Sequence, residues 1–340
     1  MYQITMNVSS NYCIYIENGL LEKIDDYLKT VYRETNVYII TDERVGKIYL
    51  ERVIKLLKSF NVHTVIIKGY EESKVLATYE NICTQLIDLG ISRNEMLIAL
   101  GGGVIGDLVG FVAATLYRGL PFIQIPTSLL AQVDSSIGGK TGIDFMGHKN
   151  ILGAFYQPKM VLIDPLLLST LPVEHLKNGY GEMIKHAMIG SPKLFDLLIN
   201  NDQITEEIIY ENLLVKKKHV IADEFDKNER MKLNYGHTLG HIIEMKHELL
   251  HGEAVLSGIL SILDFTKKLG FTDDILKQKV LSLYQKHDLS YLKIDYRELI
   301  DDIHFDKKNL AGVINFVFVK EIGSAFIYKI REEELYGYFN

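Results

Sequence analysis

The sequence predicts an α/β fold in which an N-terminal α/β domain, built on a mostly parallel sheet, precedes a mainly α-helical C-terminal domain. Three observations support this prediction. Short β-branched runs alternate with helical stretches in the first half of the chain. A run of glycines separates one of these strands from the helix that follows it. After about Leu166 the strand signals largely stop, and helical periodicity replaces them.

The first half alternates strands and helices in a regular order. Strands are expected at 37–40, 65–67, 96–100 and 122–125. Helices are expected at 45–60, at 74–89 and directly after Gly103. This alternation predicts a mostly parallel, Rossmann-like sheet that helices cover on both faces. Ligands of such sheets bind at the carboxyl ends of the strands.

The second half is expected to be mainly helical, with helices at 213–222 and 254–269. A late apolar run at 313–319 predicts a strand that pairs with 325–329. The change of periodicity alone places the boundary between the domains. We therefore expect an α/β domain at 1–160 and a helical domain at 161–340.

The composition excludes several classes of protein. The chain has 340 residues, enough for two cores of domain size, and a net charge of −7. The acidic balance argues against a nucleic-acid or anionic-membrane partner. Cys13 and Cys83 form no CxxC motif, which predicts neither disulfides nor a thiolate metal site and fits a reducing cytoplasm. The first residues show no secretory signal, and the apolar run 98–116 contains five glycines and Asp107, which favours a buried strand–turn–helix over a membrane span.

The glycine turn satisfies GxGxxG at Gly101, Gly103 and Gly106. A strand that runs into a glycine turn and a helix presents bare backbone amides to a pyrophosphate. The turn follows about the third strand, however, and no acidic residue ends the next strand. Nucleotide binding and a tight packing turn both remain open at this point.

Two acidic positions favour the nucleotide interpretation. Asp42 follows the strand at 37–40, a position where an acid can bind ribose hydroxyls. Glu71 with Lys74 follows the strand at 65–67. Each of them alone is equally typical of a helix cap or a surface charge.

Three histidines, His237, His241 and His251, are the densest set of metal-ligand residues in the chain. At about 100° per residue they project onto one face of a continuous helix. At about 1.5 Å of rise per residue, however, such a helix would place His237 and His251 on the order of 20 Å apart, too far to share one ion. Either the chain folds back between them or only His237 and His241 are partners.

Basic residues of this acidic chain gather near a glycine-rich loop at 137–142. Lys140 and Lys149 with Asn150 bracket this loop and suit a phosphate-bearing substrate. The spaced first glycine of an ATP-hydrolysing P-loop is missing, because position 135 is serine.

Further charged residues have helical spacing. Lys185 lies three residues after Glu182 and would share its helix face, where a surface salt bridge is the alternative. Arg230, Asn234 and His237 would form one helical stripe that places a guanidinium beside an imidazole. Lys216 lies in a run of three lysines that is typical of a solvated face.

Taken together, these residues resemble the 3-dehydroquinate synthase family, a group of sugar-phosphate cyclases, over nearly the full length of the chain. The segments that carry the resemblance are 101–107, 126–142, 149–150, 178–185, 234–241, 251–255 and 306–308. The resemblance implies an NAD-binding α/β domain, a helical domain with one divalent metal ion (Zn²⁺ or Co²⁺), and a homodimer in the cytoplasm. The implied reaction converts 3-deoxy-D-arabino-heptulosonate 7-phosphate to 3-dehydroquinate and phosphate.

The resemblance also implies roles for individual residues. The metal ligands would be Glu182, His237 and His251, which requires a turn between the two histidines. The NAD contacts would be Asp42, Glu71, Lys74, Gly102, Gly103, Val104, Ile105, Gly106, Asp107, Thr127, Ser128, Lys140, Lys149, Leu167 and Thr170. The catalytic and substrate-binding residues would be Asp134, Lys140, Asn150, Asn178, Lys185, Lys216, Asp226, Arg230, Asn234, His241 and one of Lys307 or Lys308, and Arg118 would reach the phosphate pocket of the partner subunit.

Several positions depart from the pattern of the family. Asp226 stands where a glutamate base is usual, and Asn228 replaces a glycine. The 143–148 loop and Glu174 with His175 also differ. Related functions remain as alternatives: an inosose or valiolone synthase, whose substrates lack the carboxylate that Lys216 and Arg230 would bind, a metal-dependent polyol dehydrogenase, or a catalytically inactive relative.

Overall fold

The computed structural model describes residues 1–299, 313–331, 334–335 and 337. Lys307 and Lys308, which the sequence assigns to the substrate, lie outside the described residues. The chain forms two compact units, the first made of Met1–Pro172 with Thr205–Tyr210 and the second of Val173–Ile204 with Glu211–Asn340. The domain boundary after residue 160 stays a prediction.

The first unit contains nine strands and the first five helices. The strands are β1 (Tyr2–Met6), β2 (Tyr12–Ile16), β3 (Asn36–Asp42), β4 (Asn61–Ile67), β5 (Met96–Gly101), β6 (Phe122–Pro126), β7 (Lys140–Phe145), β8 (His148–Phe155) and β9 (Met160–Ile163). The helices are α1 (Ile24–Val31), α2 (Glu43–Val45), α3 (Glu51–Leu56), α4 (Leu76–Asp88) and α5 (Gly103–Thr115). The four strands and the helical stretches expected from the sequence are therefore confirmed.

Seven of these strands form one sheet in the order β1-β2-β9-β6-β5-β3-β4. All neighbouring pairs are parallel except β1 with β2. The predicted α/β class with a mostly parallel sheet is confirmed. Strands β1, β2 and β9 were not predicted, because runs of four or five residues give little periodic signal.

Both faces of the sheet are buried, as a parallel sheet requires. Along β3, Val37 and Ile39 pack into one apolar cluster, while Tyr38 and Ile40 pack into another on the opposite face. Alternate side chains of a strand point to opposite faces, so one continuous apolar run serves both cores.

The glycine-rich loop predicted at 137–142 is confirmed for 137–139 and wrong for 140–142, which begin strand β7. Residues 140–155 form an antiparallel hairpin in which Lys140 pairs with Phe155 and Phe145 with His148. Met146 and Gly147, between the strands, both have positive φ angles, which two-residue hairpin turns commonly require. The 143–148 segment that departs from the family pattern is therefore the tip of this hairpin and not an open loop.

The second unit is mainly helical, which confirms the prediction for this half of the chain. Its helices are α6 (Val173–Gly190), α7 (Pro192–Asn200), α8 (Glu206–Ala222), whose first turn belongs to the first unit, α9 (His237–His247), α10 (His251–Lys268) and α11 (Asp274–Lys286). The predicted late hairpin is confirmed as β10 (Val313–Glu321) and β11 (Ser324–Arg331). Within the described part of the chain, no helix has both the length and the apolar character to cross a membrane.

The single helical stripe predicted for Arg230, Asn234 and His237 is wrong. Arg230 and Asn234 belong to a short 3-10 helix, Glu229–Asn234, and Gly236 then takes a left-handed conformation before α9 begins. A residue with positive φ ends helical periodicity, so the two segments have independent directions.

Candidate functional site

Glu182, His237 and His251 come from three different helices of the second unit. Glu182 lies in the middle of α6, whereas His237 and His251 are the first residues of α9 and α10. Helix α9 ends at His247, so the chain turns back before His251. This fold-back is the one that the rise per residue requires for the two histidines to meet.

The three side chains meet around one carboxylate oxygen. The Nε2 atoms of His237 and His251 lie 3.3 and 3.5 Å from Oε1 of Glu182. Two ligand atoms that share a tetrahedral Zn²⁺ at about 2.0–2.1 Å lie about 3.3 Å apart. Oε1 of Glu182 is buried and has no hydrogen-bond partner among the described residues. The donor set and its spacing therefore fit one divalent cation.

Each histidine ring is held by its other nitrogen. Nδ1 of His237 lies 3.2 Å from the carbonyl oxygen of Tyr235, and Nδ1 of His251 lies 3.1 Å from Oε2 of Glu244. Donation from Nδ1 leaves the lone pair of Nε2 available for a cation held beside Oε1 of Glu182. The sequence analysis missed Glu244, although it follows His237 by seven residues on the same helical face.

Charge complementarity acts on the same cluster. Burial opposes the ionisation of Glu182, but Lys185 and His237 outweigh it and hold the pKa of this carboxyl well below its usual range. Burial likewise opposes the charged form of His251, but Glu182 and Glu244 raise its pKa to about 9. The Lys185 ammonium donates to the other oxygen of Glu182, and both side chains are buried, so this pair is not the surface salt bridge of the alternative interpretation.

His241 lies beside the cluster and not at its centre. Its ring centroid is 5.2 Å from that of His237 and 6.1 Å from that of His251. His241 also forms a second group of potential ligands with Glu244 and His251, whose donor atoms lie within 4.8 Å of one another. The hydrogen bond from His251 to Glu244 occupies part of that second group, so the set with Glu182 is the better cation site.

Close backbone approaches place these helices. A Cβ on Gly252 would lie 1.9 Å from the carbonyl oxygen of Asn178, which sets α10 against α6. A Cβ on Gly258 would lie 2.1 Å from the carbonyl oxygen of Gly236, which sets α10 against the start of α9. Asn178, predicted to bind substrate, accepts a hydrogen bond of 2.5 Å from the backbone N–H of Gly252. Only glycine permits these two backbone approaches, because a Cβ at Gly252 or Gly258 would overlap a carbonyl oxygen.

Two cationic side chains assigned to the substrate carboxylate are also in this unit. Lys216 of α8 and Arg230 are both buried. The Arg230 guanidinium donates from Nη1 to the carbonyl oxygen of Glu224 at 2.6 Å. Lys216 is therefore not on the solvated face that its run of lysines suggested.

In the first unit, the glycine turn connects β5 to α5. Gly102 is the N-cap residue, and no side chain of the described residues caps this helix. A helix start without a side-chain cap can present its backbone N–H groups to an anion. A Cβ on Gly101 would lie 2.6 Å from Ile105, and one on Gly106 would lie 2.6 Å from Gln124. The packing interpretation therefore holds for Gly101 and Gly106, and it leaves the nucleotide interpretation open for the helix start.

Lys74 connects several predicted residues near this turn. Its ammonium donates to the carboxylate of Asp107 and to the side-chain oxygen of Asn150. Burial opposes the charge of Lys74, but Asp107, Glu71 and Asp144 outweigh it and raise the pKa. Buried Lys74 therefore lies beside Asp107 and Glu71, which were predicted to contact NAD, and beside Asn150, which was predicted to be catalytic.

The other predicted residues of this unit occupy varied positions. Asp42 caps α2 by accepting from the backbone N–H groups of Arg44 and Val45, as its cap interpretation predicts. Thr170 shares a hydrogen bond of 2.6 Å with Tyr49, and the backbone carbonyl of Leu167 accepts from the same hydroxyl. Arg118 is exposed and has a positive φ angle. Thr127 and Ser128 follow β6 at the carboxyl edge of the sheet. Lys149 belongs to β8, which pairs with β7 in a separate two-stranded sheet.

Comparison with known sequences decides the family. Profiles described as the N-terminal and C-terminal parts of 3-dehydroquinate synthase match residues 64–178 and 179–309. A 3-dehydroquinate synthase from Clostridium acetobutylicum is 39% identical to this chain over 99% of both sequences. The chain belongs to the 3-dehydroquinate synthase family. The predicted resemblance is therefore confirmed.

Solved structures share the fold of this member of the 3-dehydroquinate synthase family. A 2-epi-5-epi-valiolone synthase from Streptomyces hygroscopicus, with NAD⁺ and Zn²⁺ bound, has a TM-score of 0.86 and 26% identity over 98% of this chain and 96% of its own. A 2-deoxy-scyllo-inosose synthase in complex with carbaglucose-6-phosphate, NAD⁺ and Co²⁺ has a TM-score of 0.86 and 22% identity over 99% of both chains.

Proposed function

We propose that the chain is a 3-dehydroquinate synthase. It converts 3-deoxy-D-arabino-heptulosonate 7-phosphate to 3-dehydroquinate and phosphate by transient oxidation, phosphate elimination, reduction, ring opening and an intramolecular aldol reaction. The observation that carries this proposal is the group of Glu182, His237 and His251, whose spacing fits one divalent cation in a chain of this family. When bound, NAD⁺ supplies a transient hydride acceptor and Zn²⁺ or Co²⁺ a Lewis acid at the substrate alcohol.

The residues of this chain bind and orient the substrate. Lys216 and Arg230 are buried cations, and both hold the substrate carboxylate. We assign Lys140, Asn150, Lys185 and Asn234 to the substrate phosphate. The phosphate leaves with its bridging oxygen while one of its own oxygens takes the neighbouring proton. His241 and Asp226 exchange protons with the substrate during ring opening and closure.

In the first unit, the glycine turn and the acidic residues at the strand ends bind NAD. The uncapped start of α5 supports this assignment, because backbone N–H groups at a helix start favour an anion such as a pyrophosphate. Lys74 orders the turn through Asp107. We further propose that the enzyme works as a cytoplasmic homodimer in which Arg118 reaches the partner subunit.

One assay tests the function. The protein is incubated with heptulosonate 7-phosphate, NAD⁺ and Zn²⁺, and the release of phosphate and the formation of dehydroquinate are followed. We expect both products in equal amounts with no net NADH. Accumulation of NADH without phosphate release would identify a polyol dehydrogenase instead. Turnover of a sugar phosphate that lacks the carboxylate, with no turnover of heptulosonate phosphate, would identify a different cyclase.

A further inference from the structure

Asp223 organises the segment that leads to Arg230. It follows directly after the last residue of α8, and its side chain accepts three backbone hydrogen bonds from residues further along the chain. Oδ1 accepts from the N–H of Lys227 at 3.0 Å, and Oδ2 accepts from the N–H of Asn228 at 2.6 Å and of Arg230 at 3.2 Å. One carboxylate thus closes the loop formed by residues 223–230.

The position of Asp223 is unfavourable for the helix itself. A carboxylate at the C-terminal end of a helix lies next to the negative end of the helix dipole. Burial also opposes its ionisation, yet the three backbone N–H groups and the nearby Arg230 outweigh it and lower the pKa of Asp223. The hydrogen bonds that Asp223 accepts therefore stabilise the loop and not the end of α8.

The loop contains backbone geometry that needs such support. Asp226 has a φ angle of +57°, and Asn228 has φ −148° with ψ −89°. Residues in sparsely populated regions persist only where the surrounding contacts over-determine them. Two of the three N–H groups that donate to Asp223, those of Lys227 and Asn228, directly follow Asp226, so its carboxylate holds the strained part of the loop.

Arg230 is fixed to this loop at both ends. Its backbone N–H donates to Asp223, and its buried guanidinium donates to the carbonyl oxygen of Glu224 at 2.6 Å. Glu224 is the residue directly after Asp223. Without the Asp223 carboxylate, the backbone of Arg230 and the Glu224 carbonyl that accepts from its guanidinium would both lose support. The guanidinium would then no longer keep its orientation.

We propose that Asp223 is a positioning residue that sets Arg230 for the substrate carboxylate and holds Asp226 in its strained conformation. This inference rests on the proposed function, because the role of Arg230 comes from it. The effect of Asp223 through Arg230 is on binding of the substrate carboxylate, and its effect through Asp226 is on the later proton transfers.

The test compares the steady-state kinetics of the zinc- and NAD-loaded enzyme with those of variants. We expect Asp223→Ala to raise KM for heptulosonate phosphate by about tenfold or more, with a smaller fall in kcat, because the guanidinium that binds the carboxylate is displaced. Asp223→Asn retains one acceptor oxygen and is expected to show an intermediate KM. If Asp223→Ala does not fold, Asp223→Asn carries the test alone.

A double-mutant cycle separates positioning from a general structural role. If Asp223 acts through Arg230, the variant with both Asp223→Ala and Arg230→Ala has the KM of Arg230→Ala alone. If the two effects on KM multiply, the inference is wrong.

Asp273 offers a matched control in the same unit. Its carboxylate also accepts backbone N–H groups, from Ile275 at 3.0 Å and Leu276 at 3.2 Å, at the start of α11. We expect Asp273→Ala to lower the melting temperature without changing KM. An equal rise of KM in both variants would overturn the inference. Failure of the wild-type enzyme to release phosphate would instead contradict the proposed function, so the two failures are distinguishable.

Discussion

The buried carboxylate of Glu182 is the point at which the three metal-ligand candidates meet. His237 and His251 both direct Nε2 at Oε1, whereas His241 stands outside this arrangement. The hydrogen bonds of Nδ1 to Tyr235 and Glu244 select the tautomer that binds a cation. At the scale of single residues, the roles of the histidines therefore differ although their sequence contexts look alike.

The first prediction separates these roles. We expect His251→Ala to abolish tight retention of Zn²⁺, because only two protein ligands remain, and His241→Ala to keep the ion while it slows turnover. Metal content after dialysis and the rate of phosphate release measure the two effects. The reverse result, with the ion lost only in His241→Ala, would transfer the ligand role to the group formed by His241, Glu244 and His251.

A second prediction concerns His219 of α8, a buried residue outside the metal cluster. Neither of its ring nitrogens has a hydrogen-bond partner among the described residues, and Nδ1 lies 3.5 Å from Glu229. Burial lowers its pKa to about 4, against the opposing charge of Glu229 and with the support of Lys232, Lys218 and Lys185. The neutral imidazole is therefore the form that the folded protein favours.

The sign of the pH effect follows from this depressed pKa. Above about pH 6.5 His219 is neutral in both the folded and the unfolded chain, and its full contribution to stability is present. As the pH falls toward 4, the unfolded chain takes up a proton that the folded chain excludes, so stability is lost. Between pH 7.5 and 5, this proton uptake lowers the free energy of unfolding of the wild type by about 2 kcal/mol. We expect His219→Leu to lack this part of the decrease. Urea unfolding at both pH values measures the change in the free energy of unfolding. An equal decrease in the wild type and in His219→Leu would contradict this prediction.

At the scale of elements, close helix contacts place the ligands. Helix α10 begins with His251 and touches α6 at Gly252 and the start of α9 through Gly258. These contacts let three helices bring their ligands to one point without a long connecting loop. The positions of Glu182 and His251 thus depend on two residues that have no side chain at all.

A third prediction tests this packing. A Cβ on Gly252 would lie 1.9 Å from a backbone carbonyl oxygen, so Gly252→Ala must push α10 away from α6. We expect a loss of about 3 kcal/mol in the free energy of unfolding, at the upper end of the range for overpacking, together with weaker Zn²⁺ binding. Denaturant titration and a metal-binding titration measure these effects.

Gly337→Ala is the matched control for that substitution. Among the residues that the structure describes, no atom lies within 4 Å of a Cβ at this position, so the stability and the affinity for Zn²⁺ should stay near those of the wild type. Retention of both properties in Gly252→Ala would mean that the approach of α10 to α6 does not fix the ligands.

The hairpin of β7 and β8 is the corresponding element of the first unit. The backbone N–H of Asp144 donates to the carbonyl oxygen of Lys74 at 2.7 Å, and Lys74 donates to the side chain of Asn150. One lysine therefore ties both strands of the hairpin to the residues around the glycine turn. This connection gives Asn150 a defined position beside Lys74.

At the scale of the whole molecule, the two units contain different parts of the proposed machinery. The first contains the sheet and the predicted NAD contacts, and the second contains the candidate cation site and the buried Lys216 and Arg230. Arg118 belongs to the first unit, and its exposed position and positive φ angle distinguish it from these buried residues. A strained, exposed arginine is consistent with a contact to a partner subunit.

A fourth prediction tests the proposed homodimer and the role of Arg118. Arg118→Ala and His251→Ala are each expected to be inactive. If subunits exchange, half of the dimers contain one subunit of each kind, and one of their two sites has an intact His251 and an intact Arg118 from the partner. The mixture should therefore recover about a quarter of the wild-type activity for a symmetric dimer.

Sedimentation of the wild-type protein and phosphate release by the mixture measure these outcomes. A dimer whose mixed variants stay inactive after subunit exchange would show that Arg118 acts within its own subunit. A monomer with full activity would rule out the shared site.

The sequence by itself determined the class of fold and the identity of the candidate ligands. Alternating β-branched and helical runs gave the parallel sheet, because side-chain periodicity is a local property of each element. The fixed rise per residue also excluded that His237 and His251 share one ion on a continuous helix. It left open whether the chain folds back or only His237 and His241 are partners. The motifs also gave the family, which the comparisons confirmed.

Only the tertiary structure decided which residues meet. Periodicity does not pass through Gly236, whose left-handed conformation separates Arg230 and Asn234 from His237. It also carries no signal for the pairing of β7 with β8, the position of β9 or the contact of Gly252 with Asn178. The position of β9 and the contact of Gly252 with Asn178 depend on residues that are far apart in the chain, and such a contact leaves no periodic pattern in either segment. The pairing of β7 with β8 is local, but it depends on the positive φ angles of Met146 and Gly147, which side-chain periodicity does not record.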